Sequence, residues 1–345
     1  MSNTLKMIVG LLIGLLILGS WLGFVGFEET LTTLITVTPS SAILATLAWV
    51  ISMALRGWKW HSILISTHQV PILVSERVYW VSSFLNVLFP FRVGELARSL
   101  FLKRLVDMSV SASLPTVLVD RLYSIAVILI GLLFLPLTSF QMRADTERGA
   151  ANPGTLGIRW GIAIIAAGFF AVLVFLFFLR NQKPRLLGLG RRVLFFLPEN
   201  LGKRLLGFLD ATIDGMQLVR TDANSVLALL ALSLVVLFAD ALKDHFVLGA
   251  FGLEVPVIVC FFGVCITNLA FILPSPPGNI GSNEWYATLV YSTGFGYNGA
   301  QVAGGALFGH VMTTLVVATG GALSLSSLGI TLAEGLSISR GDTDV

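Results

Sequence analysis

The sequence predicts an all-α, polytopic membrane helix bundle with six spanning helices and two re-entrant broken-helix hairpins, arranged as an inverted repeat. Three observations lead to this fold class. Charged residues make up 12% of the chain and hydrophobic residues 55%, whereas charged residues are about 25% of ordinary soluble domains. Apolar stretches long enough to span a bilayer recur along the chain. Two shorter apolar stretches adjoin Pro/Gly breaks that resemble each other.

The apolar stretches are assigned to elements by their length, because a full span needs about 20 residues and at least about 17. Six of them are expected to be spanning helices, at 7–26, 39–55, 112–138, 158–179, 224–249 and 299–328. The stretches 78–90 and 283–295 are too short to cross. Each is expected to be half of a hairpin that enters the membrane and returns, over 78–105 and 256–295.

Charges in the connecting segments predict the orientation, since cytoplasmic loops carry an excess of Lys and Arg. Loop 180–223 holds eight basic residues and loop 27–38 holds none. Arg56 and Lys59 stand at the start of another basic loop, 56–77. Both termini are therefore expected to be cytoplasmic. Because the basic residues are interpreted as topology signals, no nucleic-acid partner is expected.

The two broken segments, 86–95 and 268–284, share one order of features. Each has an apolar helix carrying Asn, then Pro, Gly and Glu, and then a second short helix. With the orientation above they enter the membrane from opposite sides. Residues 1–140 and 158–328 are therefore expected to form two inverted repeats, followed by a cytoplasmic tail, 329–345. Inverted repeats with discontinuous helices are typical of secondary transporters.

The breaks predict a binding site, because irregular backbone at membrane depth is tolerated only inside protein or beside a water-filled cavity. Each returning half-helix is expected to begin near the midplane, with free N–H groups and its positive dipole end pointing inward. Gly94, Gly278 and Gly281 would allow tight turns there. Two such ends suit an anionic group such as a phosphate. The alternative is that the breaks only relieve packing.

Ionisable residues at membrane depth cost about 3 kcal/mol each, so they need partners. The candidate substrate-binding residues cluster at the breaks and are Arg92, Gly94, Glu95, Arg98, Asp120, Arg121, Gly278, Asn279, Gly281 and Glu284. The arginines are expected to bind a headgroup while the carboxylates orient them or carry protons. Structural ion pairs are the alternative. Asp240, Lys243, Asp244 and His245 are expected to reach the interface, and His310 to be a hydrogen-bonded packing residue.

Three segments, 90–104, 117–129 and 276–296, resemble the lysylphosphatidylglycerol synthase transmembrane-region family, whose members are also called flippase-like or UPF0104 proteins. The resemblance covers nearly the whole chain in motif order. The family's G-E-x-x-R segment matches Gly94, Glu95 and Arg98. Its acidic-Arg-Leu segment matches Asp120, Arg121 and Leu122, and its P-G-x-x-G-x-x-E segment matches Pro277, Gly278, Gly281 and Glu284. Relatives often have Arg before that last Glu, where this chain has Asn283.

The resemblance implies a flippase-like lipid transporter, since the best-known member joins a lipid-flipping membrane domain to a soluble aminoacyl transferase. Other relatives are linked to polyprenyl-phosphate sugar or hopanoid pathways. The chain is therefore expected to move a phospholipid or a polyprenyl-phosphate-linked lipid between leaflets by alternating access, in the plasma membrane of a bacterium or archaeon. Only 17 residues follow position 328, so the chain is expected not to be an enzyme.

Two alternatives stay open. The first is a membrane-embedded transferase or hydrolase acting on a lipid-linked substrate, with Glu95, Asp120 or Glu284 as general acid or base. The second is a non-transporting partner of a lipid-modifying enzyme. No cofactor and no metal is expected, because the sequence has neither metal-ligand spacing nor a G-x-x-x-x-G-K-[ST] nucleotide loop.

Overall fold

The structure is a computed structural model that describes residues 3–89, 93–137, 183–194, 223–271 and 275–331, with parts of 160–171, 202–210 and 334–336. Within these residues the chain is helical and has no strand. The helices are α1 (Asn3–Val25), α2 (Phe27–Leu34), α3 (Pro39–Leu64), α4 (Ile72–Leu88), α5 (Val93–Val106), α6 (Val110–Leu133), α7 (Lys183–Val193), α8 (Ala223–Gly249), α9 (Val257–Ala270), α10 (Ser282–Ala287) and α11 (Gly299–Ser327). Short 3₁₀ turns occupy Leu135–Leu137 and Pro277–Asn279, and a π-helical segment runs over Thr288–Gly294.

The predicted number of membrane-crossing helices is confirmed only in part. Among the described residues, α3, most of α6, α8 and α11 are long and apolar enough to cross a bilayer. Helices α1 and α2 meet at 88° and add a fifth span if the bent pair is counted as one. The predicted helix 158–179 lies largely outside the described residues. The all-helical membrane fold is thus confirmed, while the six spans and the inverted repeat stay predictions.

The first break follows from a proline. Phe89, at the end of α4, is extended with φ −117° and ψ 142°, because the residue before a proline is excluded from the helical region. Helix α5 then begins at Val93 and packs against α4. The packing is close at Gly94, where a Cβ atom would lie 2.0 Å from the Ser82 carbonyl oxygen. Helices α4 and α5 thus occupy the region predicted as the hairpin 78–105, with an earlier start, while its re-entry into the membrane stays a prediction.

The second break uses positive φ angles instead. Gly278 has φ 62° and Gly281 has φ 80°, a conformation that costs other residues about 1–2 kcal/mol. Helix α10 begins directly afterwards but is only six residues long and continues into the π-helical segment. The two breaks meet, since a Cβ atom on Gly278 would lie 3.4 Å from the Val87 carbonyl oxygen of α4.

Helix α3 is longer than its apolar run predicts. The run ends at residue 55, but the helix continues to Leu64 and its Trp60 is fully buried. Arg56 and Lys59 are therefore helical, and Lys59 is buried inside the protein instead of lying in a cytoplasmic loop. Buried cations in a membrane bundle need partners, and both have them in this structure.

Two hydrophobic clusters form the core. One joins α3, α4, α5 and the end of α11, around Trp60, Leu85 and Phe101. The other joins α6, α8 and α9, around Leu129 and Phe262. The outer faces of the bundle are apolar as well as exposed, as expected of surfaces that contact lipid. The polar residues described next lie between the two clusters.

Candidate functional site

A cavity of about 560 Å³ lies where the two breaks meet. Its wall includes Val87 and Phe89 beside the first break and Ser275, Gly278 and Asn279 in the second. This size falls within the range of small-molecule sites, about 300–1,000 Å³. Among the described residues, the charged side chains on its wall are Arg56, Arg98, Arg121, Lys243, Asp240 and Asp244.

Arg98 is the most buried of these cations, with 3% of its surface exposed. Its Nη1 lies 3.3 Å from Asp120 Oδ2, and its Nε donates to Ser82 Oγ at 3.0 Å. The guanidinium stacks on the Tyr79 ring, 4.2 Å from the ring centre. Asp120 is shared with Lys59, whose Nζ lies 2.8 Å from Oδ1. One carboxylate thus holds two buried cations from α3 and α5 in place.

Arg121 and Arg56 reach the cavity from two different helices. Arg121, on α6, forms an ion pair with Glu95 at the start of α5. Arg56, on α3, forms an ion pair with Asp240 of α8, and its Nε donates to Ser52 Oγ at 3.3 Å. Each pair therefore ties two helices together while leaving a guanidinium on the cavity wall.

Lys243 supplies the fourth cation. It pairs with Asp244, which also accepts a hydrogen bond from the Tyr291 hydroxyl at 2.8 Å. The Lys243 ammonium lies 5.7 Å from the centre of the Trp49 ring, within the range of a cation–π contact. The buried indole N–H of Trp49 has no hydrogen-bond acceptor among the described residues.

His310 links α11 to the second break. Its Nε2 lies 2.7 Å from the Gly278 carbonyl oxygen, and its Nδ1 lies 2.6 Å from Glu284 Oε1. Glu284 is 2% exposed, and its Oε2 has no hydrogen-bond partner among the described residues. The sequence predicts a hydrogen-bonded histidine at this position, and in the structure its partners are the Gly278 carbonyl group and Glu284.

The structure brings most of the sequence-predicted residues together, but not all in one role. Arg98, Arg121, Gly278 and Asn279 line the cavity. Glu95, Asp120 and Glu284 lie behind that wall and pair with the basic residues. Gly94 and Gly281 allow a neighbouring helix backbone to approach closely, because neither has a side chain. Arg92 lies outside the described residues.

The expected pair of free helix N-termini differs from the structure. The Gly94 N–H of α5 already donates to the Asn86 side chain at 2.9 Å. Gly281 and Ser282, at the start of α10, are not on the cavity wall. Side-chain cations, and not helix ends, therefore give the cavity its positive charge.

Arg56, Asp240, Lys243 and Asp244 are cavity residues that the sequence analysis placed elsewhere. Asp240, Lys243 and Asp244 were expected at the interface, whereas Asp240 is 4% exposed and pairs inside the bundle. Their spacing contained the signal, because residues three and four apart share one helix face. A polar face on an otherwise apolar membrane helix points to the bundle interior.

The family model described as "Lysylphosphatidylglycerol synthase TM region" matches residues 7–321. The chain belongs to this family. The match takes in both breaks and every described cation of the cavity wall. The resemblance predicted from the sequence is thus confirmed, and so is an integral, multi-pass membrane protein.

Two curated archaeal proteins are similar to this chain. One, from Haloferax volcanii, is named glycosyltransferase AglD and is 22% identical over 96% of this chain. The chain spans 56% of that protein's length. The other is a UPF0104 membrane protein of Methanocaldococcus jannaschii, 25% identical over 60% of this chain and 78% of its own length.

The first relative corrects one prediction. The sequence analysis expected this chain not to be an enzyme, because little chain follows the last helix. A protein named glycosyltransferase aligns with nearly the whole chain, and this contradicts the prediction. The length of the tail therefore does not decide whether this chain is an enzyme. Among the described residues, no group of three or more His, Cys, Asp or Glu is placed to hold a metal ion.

Proposed function

We propose that this protein binds the anionic headgroup of a membrane lipid in the central cavity and moves that lipid between leaflets. The observation that carries the proposal is the charge of the wall: four cations face two carboxylates among the described lining residues. With Lys59, Glu95 and Asp120 behind the wall also counted, one positive charge is in excess, and a phosphodiester would balance it. Arginine suits the role, because its planar guanidinium stays charged and binds phosphate oxygens in pairs.

The carboxylates behind the wall support an anion site and not a cation site. Glu95 and Asp120 each pair with an arginine of the wall but do not themselves line the cavity. They fix the guanidinium groups, so that little reorganisation is needed when the headgroup enters.

A second, smaller cavity of about 70 Å³ adjoins the main one. It shares Arg56, Arg121 and Asn268 with the main cavity and is otherwise lined largely by apolar side chains of α6, α8 and α9, including Ile128 and Leu237. This space is too small for lipid chains, so the proposal leaves the chains in the bilayer and places only the headgroup in the main cavity.

Alternating access is the mechanism that we propose for this exchange. The cavity wall takes residues from both breaks, so a relative movement of the two hairpins would open it to one leaflet and then the other. This mechanism rests on the predicted inverted repeat and on cytoplasmic termini in a plasma membrane. A phospholipid or a polyprenyl-phosphate-linked lipid would fit the charge of the wall.

Leaflet exchange in proteoliposomes tests the proposal. The full chain would be reconstituted with fluorescent phosphatidylglycerol or a labelled polyprenyl phosphate, and exchange followed by quenching of the outer leaflet. We expect exchange by the native chain and at least a tenfold slower rate in an Arg56→Gln, Lys243→Gln double variant. Arg77→Gln is the matched control, since Arg77 is absent from the cavity wall.

Folding of the double variant would be checked by its elution profile and its melting temperature, and Arg56→Lys would replace it if it misfolds. No exchange of any lipid by the native chain would contradict the proposal, as would a double variant as fast as the native chain. Loss of exchange in Arg77→Gln as well would place the effect outside the cavity.

Transfer of a sugar to or from a lipid-linked substrate is a second candidate, favoured by the name of the Haloferax volcanii relative. Glu95, Asp120 and Glu284, the acids considered from the sequence, do not line the cavity, whereas Asp244 does. Asp244 would take the proton of the attacking P–OH group of a polyprenyl phosphate as general base, while the bond between the sugar and the nucleotide phosphate breaks and the nucleotide leaves. Membranes holding the native chain, a radiolabelled nucleotide sugar and a polyprenyl phosphate should then form a labelled lipid, and Asp244→Asn should not.

A further inference from the structure

The contact between His310 and Glu284 requires a proton. The Gly278 carbonyl oxygen can only accept a hydrogen bond, so Nε2 of His310 must donate to it. A histidine that carries its single proton on Nε2 has a lone pair on Nδ1. That lone pair would face a carboxylate oxygen at 2.6 Å, and two acceptors repel each other at this distance. One further proton must therefore lie between Nδ1 and Oε1.

The pair holds this proton in one of two forms. Either His310 is an imidazolium facing a carboxylate, or a neutral His310 accepts from a protonated Glu284. Both forms have no net charge, and loss of the proton leaves the pair with one negative charge. A histidine can make this change of charge, because its side chain gains or loses a proton near neutral pH.

The charge of the whole cluster depends on this proton. Among the described residues, the other ion-paired groups around the cavity are Arg56, Lys59, Arg98, Arg121, Lys243, Glu95, Asp120, Asp240 and Asp244. This set has five cations and four carboxylates. Because the protonated His310–Glu284 pair has no net charge, the whole cluster then has one positive charge in excess. The excess disappears when the proton leaves, so an anion in the cavity favours the protonated pair.

The groups that face His310 come from every element that packs against α11 and contributes to the cavity wall. On the cavity wall, the titratable groups of these elements are Arg56 of α3, Tyr79 of α4, Asp240, Lys243 and Asp244 of α8, and Tyr291 of the π-helical segment. Helices α1 and α2 place no titratable group on that wall. The arginines and Lys243 are held by carboxylates, so the His310–Glu284 pair is the group best suited to gain and lose a proton.

We propose that the His310–Glu284 pair is a proton site linked to anion binding in the cavity: it is filled while the anionic headgroup is bound and empties as the headgroup leaves. This inference rests on the proposed function. Loss of the proton also turns a hydrogen bond between α11 and the second break into a repulsion. The step that weakens headgroup binding thus also loosens the hairpin that would have to move.

Calorimetric titration of the full chain in nanodiscs tests the linkage. The probe is dihexanoyl phosphatidylglycerol, a phosphodiester whose charge is fixed over the working range, whereas a phosphate monoester has its own second ionisation near about pH 6. Titrations in two buffers of different ionisation enthalpy give the number of protons taken up per lipid bound. We expect up to one proton, and a Kd that rises about tenfold per pH unit above the midpoint of the pair.

His310→Gln decides the assignment, because glutamine can still donate to Gly278 but does not titrate. We expect it to bind the probe about as weakly as the native chain does above the midpoint of the pair, without proton uptake and with a Kd independent of pH. Glu284→Gln carries the same test if that variant misfolds. Val311→Ala is the control, since Val311 is the neighbouring residue of α11, is 51% exposed and is not on the cavity wall.

The outcomes separate this inference from the proposed function. Probe binding by the native chain without proton uptake would overturn the inference alone. Proton uptake that persists in both His310→Gln and Glu284→Gln would overturn it too, because another group would then be the proton site. Absence of probe binding at every pH would overturn the inference together with the proposed function.

Discussion

The two breaks have the same layout but are held by different chemistry. At the first, Arg98 and Arg121 hold the carboxylates of Asp120 and Glu95, and a guanidinium stays charged at any working pH. At the second, His310 holds Glu284, and an imidazole changes its charge near neutral pH. The first break is therefore a fixed electrostatic scaffold, whereas the second can change by one proton.

Their glycines also differ in what requires them. Gly94 is required because α4 passes so close that a Cβ atom would lie 2.0 Å from a carbonyl oxygen. Gly278 is required by its φ of 62°, while a Cβ atom there would keep 3.4 Å from its nearest neighbour. The second break is nevertheless tight at Gly281, where a Cβ atom would lie 2.5 Å from the Leu18 backbone nitrogen.

The largest expected effect separates these two glycines. Overpacking of side chains costs about 1–3 kcal/mol, and Gly94→Ala would press a methyl group into backbone, so we expect a loss of more than about 3 kcal/mol or no folded protein. Gly278→Ala should lose only the left-handed strain, about 1–2 kcal/mol. Thermal unfolding in detergent measures both. Equal losses of stability in the two variants would contradict the difference described between Gly94 and Gly278.

Asp120→Asn should cause the next largest loss of stability. Breaking a buried ion pair by removing one partner costs roughly 3–5 kcal/mol, and here it leaves Lys59 and Arg98 buried without their carboxylate. Chemical unfolding would report the loss. An unchanged midpoint would mean that the first break does not depend on this carboxylate.

His310→Gln should affect stability much less. Glutamine keeps the donor to the Gly278 carbonyl and can replace the contact with Glu284, so we expect a loss near the value of one hydrogen bond, about 1 kcal/mol. The melting temperature of the variant should also vary less with pH than that of the native chain. A loss as large as that of Asp120→Asn would show that both breaks are structural scaffolds.

The smallest effect is expected at the surface. Arg104 on α5 lies 3.4 Å from Glu334, and both side chains are about one-third exposed. Solvent-exposed ion pairs contribute little, because water and salt screen them. Arg104→Gln should leave melting and lipid exchange unchanged within error. A clear shift in either would show that the segment after α11 is coupled to the cavity.

Sequence patterns predicted the elements best where composition alone decides them. The apolar runs give α1, α8 and α11 within a few residues of their ends, and Pro90 marks the end of α4. The two breaks could be predicted, because Pro and Gly act locally. Their ion partners were recognised as one cluster but not as pairs, since the pairing of Glu95 with Arg121 depends on how α5 packs against α6.

Other features could not be predicted from the apolar runs. Helix α3 continues through Arg56 and Lys59, where hydropathy falls, because both cations find carboxylates on other helices. Those carboxylates, Asp120 and Asp240, lie far along the chain. The π-helical segment after α10 likewise follows from tertiary packing and has no clear mark in the sequence.

Photo-cross-linking of a lipid headgroup tests the central claim most directly. A phosphatidylglycerol with a diazirine on its headgroup would be mixed into nanodiscs with the full chain, irradiated, and its adducts mapped by mass spectrometry. A headgroup bound in the cavity should label inward positions of α3, α8 and α11, such as Trp49 and Thr314, and an excess of unlabelled lipid should compete. Labels confined to the lipid-facing side chains, such as Leu47 and Leu315, would contradict a headgroup site between the two breaks.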